Sequence, residues 1–330
     1  MMDYLCSPIS PLYLVISPNV PAFIYYSHAI AIITSFLLII YVQRYGTNKL
    51  INNVLTFTLL AFMSWVIPSL IFWASNRGDV IMFTWSLDIL VEPLVYIGSF
   101  YLLYLFLEKK DLPFIYKLLL FLIYTPLIVF VPTKYSLSGF DVSTCFSIEG
   151  PIALYYTYIV EGLMIFVIIG YSIRKFISSK RAEFRREIMI LTAGVLSFLF
   201  AFAWGNIIGS FTEDWVLGQY GLFGMPIFAG FLVYSIVKYR TFNIKLIGTQ
   251  ALVVALWIAL CSILFVRTIE DVRIIVLLTL ILFLIIGIFL VRSVKHEIEQ
   301  REKIEKLAEE LKEANEKLKE LDQLKSEFLS

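Results

Sequence analysis

Residues 174–209 read RKFISSKRAEFRREIMILTAGVLSFLFAFAWGNIIG, a basic segment followed at once by a long apolar one. Residues 174–187 carry six Lys or Arg side chains, whereas residues 188–209 carry no charged side chain. An apolar run of about 20 residues is long enough to cross the hydrocarbon core of a bilayer as a helix. Since Lys and Arg accumulate on the cytoplasmic side of such helices, the stretch predicts a transmembrane helix that leaves the cytoplasm near residue 188.

The composition extends this prediction to most of the chain. Hydrophobic residues make up 59% of the sequence and charged residues 16%, with a mean hydropathy of +0.83. We therefore predict an all-α, polytopic membrane helix bundle of about nine transmembrane helices (seven plus two), followed by a cytoplasmic coiled-coil helix. The predicted spans lie near residues 22–43, 51–74, 86–107, 114–131, 151–172, 188–209, 219–238, 249–266 and 273–291.

The charges of the loops alternate along the chain in agreement with these spans. Loops after the first, third, fifth and seventh spans are basic, and the intervening loops are neutral or acidic. Lys134, for example, is outweighed by Asp141 and Glu149 after the fourth span, and Glu213 and Asp214 follow the sixth. The positive-inside rule then predicts that the N-terminus lies outside and that the C-terminal helix lies in the cytoplasm.

Four segments follow from this topology: an extracytoplasmic N-terminal segment (1–21), a seven-helix region (22–247), a two-helix hairpin (248–291) and a cytoplasmic coiled-coil helix (292–330). The first 20 residues lack the basic start of a signal peptide and contain three prolines. Cys6 and Cys145 both fall outside the membrane, where a disulfide is possible, and Cys261 falls within the eighth span. Free thiols are favoured, because the sequence gives no distance between the two outer cysteines.

Few ionisable or amide side chains interrupt the predicted spans, and those that do fall in the outer half of the bundle. They are Glu161, Asp88, Glu92, His28 and Asn206. A carboxylate in hydrocarbon costs several kcal/mol unless it is paired, hydrated or protonated, and so usually faces an internal cavity. The five residues therefore predict a polar pocket for a small ligand, a cation or protons, with Glu161 as its central member. In the alternative interpretation, Asp88 and His28 reach interfacial water and a neutral Glu161 bonds to a neighbouring helix.

The C-terminal segment has a different pattern, with apolar residues at alternating spacings of three and four among charged ones. The repeat comprises Ile304, Leu307, Leu311, Ala314, Leu318 and Leu321. Such a repeat is typical of the seam of a left-handed coiled coil, and it predicts a parallel homodimer. After Leu321 the repeat changes phase, because Leu324 and Phe328 continue the apolar set while Lys325 takes the next heptad position.

Two motifs resemble bacterial sensor histidine kinases that have an N-terminal seven-helix sensor region. Residues 320–330, ELDQLKSEFLS, are similar to the segment that leads into the phosphoacceptor helix of that family. Residues 226–244, PIFAGFLVYSIVKYRTFNI, resemble the end of the seven-helix region, with Asn243 where the family commonly has Asp. The resemblance implies a multi-pass protein of the bacterial inner membrane that acts with a downstream kinase core and a response regulator.

Catalytic motifs are missing from the 330 residues. The sequence has no Gly-rich phosphate loop, no Cys/His spacing suited to a metal, and two histidines, of which His296 lacks a phosphoacceptor context. We expect no catalytic site, no metal, no cofactor and no nucleic-acid partner. The predicted function is the sensor and signal-transmission part of a two-component histidine kinase that responds to an external small molecule, an ion or a membrane signal. A secondary transporter or channel with a cytoplasmic oligomerisation tail is the main alternative, and a membrane enzyme is the third.

Overall fold

The computed structural model describes residues 15–17, 20–46, 48–212 and 215–239, with the isolated residues 281, 303, 307, 310, 311, 314 and 315. This part of the chain is mostly helical, and five of its helices are long and apolar enough to cross a membrane. The helical membrane class predicted from the sequence is therefore confirmed. The predicted spans at 249–266 and 273–291 lie outside the described residues, apart from residue 281.

Eight α-helices follow one another along the described chain. They are α1 (Ala22–Tyr45), α2 (Lys49–Ala74), α3 (Gly78–Glu108), α4 (Phe114–Phe130), α5 (Thr157–Ser178), α6 (Ala182–Thr212), α7 (Trp215–Gly218) and α8 (Gly224–Tyr239). A π-helical turn, Ile152–Tyr156, precedes α5, and a 3-10 turn, Gln219–Phe223, leads into α8. Seven of these helices overlap the first seven predicted spans, with the largest differences at the start of α3, at both ends of α5 (157 against 151, and 178 against 172) and at the start of α6 (182 against 188).

Helix α3 begins at Gly78 rather than near residue 86, because its charged first turn is compatible with a helix. Asp79 lies in that turn, where a carboxylate is favoured by the helix dipole. Arg77 Nη2 lies 2.5 Å from Asp79 Oδ2, so the two charges largely cancel at the surface. The hydrogen bond to Asp79 and the charge of that carboxylate raise the pKa of Arg77 above its usual value.

A two-stranded antiparallel hairpin connects α4 to α5 and was not predicted from the sequence. Its strands are β1 (Leu137–Asp141) and β2 (Phe146–Glu149), and Phe140 pairs with Ser147. Asp141 organises the turn, since its Oδ1 accepts hydrogen bonds from Ser143 N at 2.8 Å and Ser143 Oγ at 2.6 Å. The same hydrogen bonds lower the pKa of Asp141. The hairpin is a small addition to a bundle that is mostly helical, as the sequence predicts.

Cys145, in the same turn, is disulfide-bonded and adopts a left-handed backbone conformation with φ 62°. The expectation that free thiols are favoured is therefore wrong for Cys145. Its partner lies outside the described residues. The two other cysteines of the sequence, and so the two candidates for that partner, are Cys6 and Cys261.

The hairpin packs against the ends of α2 and α3 through an apolar cluster. The buried members are Phe72, Ile81, Trp85, Ile89, Leu127, Leu137 and Ala153. We call this end of the bundle the hairpin end. The opposite end, which carries Arg44, Lys109, Lys110 and the 174–186 segment, is called the basic end.

An aromatic layer fills the middle of the bundle between α2, α3 and α6. The rings of Phe62 and Phe198 are 5.2 Å apart, and those of Trp65 and Phe202 are 4.8 Å apart. Tyr96 lies 5.9 Å from Phe202 and is completely buried. Edge-on and offset ring contacts of this kind are favourable, so the layer is a well-packed core.

Four helices contain a proline: Pro68 in α2, Pro93 in α3 and Pro126 in α4 lie in the helix interior, and Pro226 lies in the first turn of α8. A proline inside a helix removes one backbone hydrogen bond and clashes with the preceding turn.

The predicted coiled-coil seam is described at three positions. Leu307, Leu311 and Ala314 are helical and exposed, with exposed fractions of 63% for Leu307 and 72% for Leu311. Ile304, Leu318 and Leu321 lie outside the described residues. The coiled coil itself stays a prediction.

Candidate functional site

A small cavity lies inside the bundle on the side of the hairpin end. Its volume is about 40 Å³. That space holds a few water molecules or one small ion, because one water needs about 10–15 Å³ by this measure. Its lining combines aromatic and polar side chains: Trp65, Ser69, Phe72, Trp85, Asp88, Ile89, Glu92, Glu149, Ala153, Thr157, Tyr158, Asn206 and Gln219. We call it the acidic cavity.

Helix α3 supplies the two central carboxyl groups of the acidic cavity. Asp88 and Glu92 lie one helical turn apart on the same face, and each is 6% exposed. Glu92 Oε1 accepts a hydrogen bond from Asn206 Nδ2 of α6, so the predicted residues Glu92 and Asn206 are in direct contact. Asp88 Oδ1 has no hydrogen-bond partner among the described residues. Of the two carboxyl groups from α3, Glu92 is therefore held by a hydrogen bond, and Asp88 has an oxygen with no partner among the described residues.

Glu161 lies behind the acidic cavity rather than in its wall. Its side chain, on α5, is 2% exposed and lies next to the side chains of Glu92 and Tyr96. Its Oε1 has no hydrogen-bond partner among the described residues. Because Glu161 contacts Glu92 and does not line the cavity, it would influence a ligand through Glu92. The sequence, in contrast, predicts Glu161 as the central member of the pocket.

His28 of α1 reaches the acidic cavity through one intermediate residue. Its Nδ1 lies 2.7 Å from the carbonyl oxygen of Ile24 and its Nε2 lies 3.2 Å from Ser69 Oγ. Since a carbonyl oxygen only accepts, Nδ1 carries the proton. In a neutral ring Nε2 then accepts from the Ser69 hydroxyl. Ser69 lines the cavity, so all five residues predicted for a pocket lie in or next to it.

Ten of the lining residues were not predicted from the sequence, and three of these, Trp85, Glu149 and Gln219, place polar groups at the cavity. Trp85 Nε1 donates to Glu149 Oε1 over 3.2 Å, which brings the end of β2 to the cavity. Gln219, in the 3-10 turn before α8, is 6% exposed, and its Oε1 has no hydrogen-bond partner among the described residues. Glu149 and Gln219 lie at the edges of predicted spans, and periodicity alone does not show which way such residues face.

The charge balance of the site is negative. Asp88, Glu92 and Glu149 line the acidic cavity, and no Lys or Arg belongs to its lining. Glu92 has three carboxylate neighbours, namely Glu161, Asp88 and Glu149. Several carboxylates packed together in a low-dielectric interior cannot all ionise without a compensating charge. The cluster therefore holds protons, or admits a small cation.

Over residues 15–46, 48–212 and 215–239, with their gaps, no group of three or more His, Cys, Asp or Glu has the geometry to hold a metal ion. Protons or a loosely held monovalent cation are the ligands that this donor set suits.

Comparisons with protein-family models, with curated proteins and with solved structures found no match for this chain.

Proposed function

We propose that this chain is the sensor and signal-transmission part of a two-component histidine kinase of the bacterial inner membrane. In this proposal the acidic cavity binds the signal, and α6 and α8 pass the resulting movement to the C-terminal helix. A dimeric coiled coil then presents the signal to a downstream kinase core. The resemblance at residues 320–330 supports the assignment to the kinase class, and the acidic cavity supports a proton or a small cation as the signal.

The observation that carries the proposal is that the buried carboxyl and imidazole groups occupy one side of the bundle. Among the described residues, the buried Asp, Glu and His side chains are His28, Asp88, Glu92 and Glu161. All of them lie in the halves of their helices nearer the hairpin end. Between them and the basic end lies the aromatic layer, followed by fully buried apolar residues such as Leu59 and Leu102. A site closed on one side by a packed core suits a receptor better than a route through the membrane.

The acidic cavity is coupled to α8 by close backbone contacts. Gln219 and Asn206 line the cavity from the 3-10 turn and from α6. A Cβ added at Gly221 would lie 2.0 Å from the carbonyl oxygen of Ala201, and one added at Gly205 would lie 2.6 Å from that of Gly218. Because these backbones touch without side chains between them, a shift of Gln219 is passed directly to α6 and α8.

The C-terminal segment fits the output end of such a receptor. Leu307 and Leu311 are helical, apolar and exposed in a single chain. Apolar side chains repeating on one helical face gain stability when a second copy buries them. The change of phase after Leu321 provides two competing packings, which is what a two-state output requires.

The transporter or channel alternative is supported by the same carboxylates, because intramembrane acidic residues often mark ion pathways. The aromatic layer argues against it. Purified protein in liposomes distinguishes the two: a transporter moves protons or monovalent cations down an imposed gradient, measured with an internal dye, and a receptor does not.

A kinase core joined in frame after Ser330 tests the receptor directly. We expect autophosphorylation in liposomes to respond to external pH or to a monovalent cation, with Glu92→Gln and Asp88→Asn blunting the response. Asp111→Asn, a carboxylate of the basic end, is the matched control. Inserting one residue between Leu321 and Ser330 rotates the output by about 100° and should alter regulation. Equal regulation after insertions of one, two and three residues would reject the proposed transmission.

Coupling through the glycine contacts has its own test. Gly221→Ala places a methyl group against the Ala201 carbonyl and should separate the 3-10 turn from α6. An added Cβ at Gly170 meets nothing within 4 Å, so Gly170→Ala is the matched control. We expect Gly221→Ala to reduce signal-dependent autophosphorylation while basal activity persists. Full regulation in a folded Gly221→Ala protein would exclude this route.

A further inference from the structure

A second, larger cavity lies between α3, α4 and α5 at the basic end of the bundle. Its volume is about 700 Å³, within the range of about 300–1,000 Å³ that small-molecule sites span. Most of its wall is apolar or aromatic, and charged side chains lie at one end: Phe100, Tyr104, Glu108, Leu112, Tyr116, Leu119, Leu120, Ile123, Leu163, Met164, Val167, Tyr171, Arg174, Lys175 and Ser178. We call it the lateral groove.

The lateral groove exists because α4 stands apart from the other helices. Leu127 is the one buried residue of α4, and it lies near the hairpin end of that helix. Toward the basic end, Leu119 is 47% and Tyr116 49% exposed although both line the groove. Protein side chains therefore leave this space unfilled.

The part of the groove between Leu163 and Arg174 matches one leaflet of a bilayer in length. Along α5, the lining runs from Leu163 to Ser178, and the stretch from Leu163 to Arg174 corresponds to about 16 Å at about 1.5 Å per residue. Half of the hydrocarbon core is about 15 Å thick. An acyl chain that fills the groove from Leu163 thus brings its headgroup to the level of Arg174.

The charges at that level are suited to an anionic headgroup. Lys175 pairs with Glu108 at 2.5 Å, and Tyr171 donates to the same carboxylate. Arg174 lines the groove, is exposed and has no ion-pair partner among the described residues. A guanidinium is well shaped for bidentate binding of a phosphate.

We propose that the lateral groove binds an anionic phospholipid, with one acyl chain between α4 and α5 and its phosphate on Arg174. This site is separate from the acidic cavity and does not rest on the proposed function. Bound lipid would fix α4 against α5 at the basic end.

Native mass spectrometry of the purified chain with dioleoyl phosphatidylglycerol or dioleoyl phosphatidylcholine tests the proposal. We expect preferential retention of phosphatidylglycerol. Arg174→Gln should weaken that binding about fivefold, since one basic residue near a phosphate contributes about 1 kcal/mol. Arg186→Gln removes the same charge outside the groove and should have little effect.

A second pair of variants tests the acyl-chain part without changing charge. Val167→Trp fills the groove and should reduce retention of both lipids, whereas Phe166→Trp, at an exposed position outside the lining, should not. Equal retention of the two lipids by the unaltered chain would overturn the proposal. So would unchanged binding in both Arg174→Gln and Val167→Trp. If the lipid-free protein were a dimer, and Val167→Trp but not Phe166→Trp abolished that dimer, the groove would instead be the binding surface for a second copy of this chain.

Discussion

Carboxylates at the two ends of the bundle have opposite surroundings. At the basic end, Glu108 and Glu187 each face a lysine, at 2.5 Å from Lys175 and 3.7 Å from Lys109 respectively. In the acidic cavity, Glu92 faces three other carboxylates. A carboxylate held by a lysine keeps its charge and fixes the helices. One held among carboxylates changes its charge state or its ligand, so it can report on its environment.

The first test of this comparison is which end faces which side of the membrane. In a background without native cysteines, Lys134→Cys near the hairpin end should react with an impermeant maleimide added to intact cells. Lys180→Cys at the basic end should react only after the membrane is opened. This result is all-or-none, and the reverse pattern would place the acidic cavity on the cytoplasmic side.

The disulfide of Cys145 provides the next test, because only the hairpin end needs an oxidising compartment. We expect Cys145→Ser to lower the free energy of unfolding by about 2–4 kcal/mol, the usual contribution of a native disulfide. The measurement is thermal unfolding with and without dithiothreitol. Cys6→Ser should behave like Cys145→Ser, and Cys261→Ser should keep the sensitivity to reductant. If Cys261→Ser removed the sensitivity to reductant and Cys6→Ser kept it, the hairpin would be tied to the predicted eighth span.

The two kinds of carboxylate should respond oppositely to neutralisation. Glu92→Gln removes a charge from a buried acidic cluster and keeps an acceptor for Asn206, so we expect a gain of about 1–3 kcal/mol in stability at pH 7. Glu108→Gln breaks a partly exposed ion pair and should cost about 1 kcal/mol. Chemical unfolding of the two variants in the same detergent measures both. Destabilisation by Glu92→Gln would mean that a cation already neutralises the cluster.

The smallest effect is expected at Asp111, between α3 and α4. The hydrogen bond from Lys117, at 2.7 Å, and that from Tyr101 lower the pKa of Asp111. Its stabilising contribution is therefore complete above the ordinary pKa of Asp and is lost as the pH falls through the lowered value. Because both side chains are largely exposed, Asp111→Asn should cost less than about 1 kcal/mol at pH 7 and nothing at low pH. An equal cost at both pH values would assign the effect to packing.

The helices were predictable because the membrane imposes length and apolarity on them. The seven spans from 22–43 to 219–238 match helices of the structure, and the five intramembrane polar residues were identifiable because hydrocarbon makes each of them costly. The hairpin was missed because its alternation of Phe140, Phe146 and Ile148 with polar residues is short and lies within a loop. Gln219 was missed because it carries no charge. The disulfide of Cys145 was missed because pairing depends on the distance between two cysteines, which the sequence does not give.

Proline has a mechanical consequence in this bundle. Pro68 directly precedes Ser69, and Pro93 directly follows Glu92, so each lies beside a residue of the acidic cavity wall. A helix bends most readily where its backbone ladder is interrupted. Helices α2 and α3 are thus most compliant at the level where a ligand would press on them. A force applied there would tilt the segments of α2 and α3 that lie nearer the hairpin end. The segments at the basic end, which ion pairs hold in place, would stay fixed.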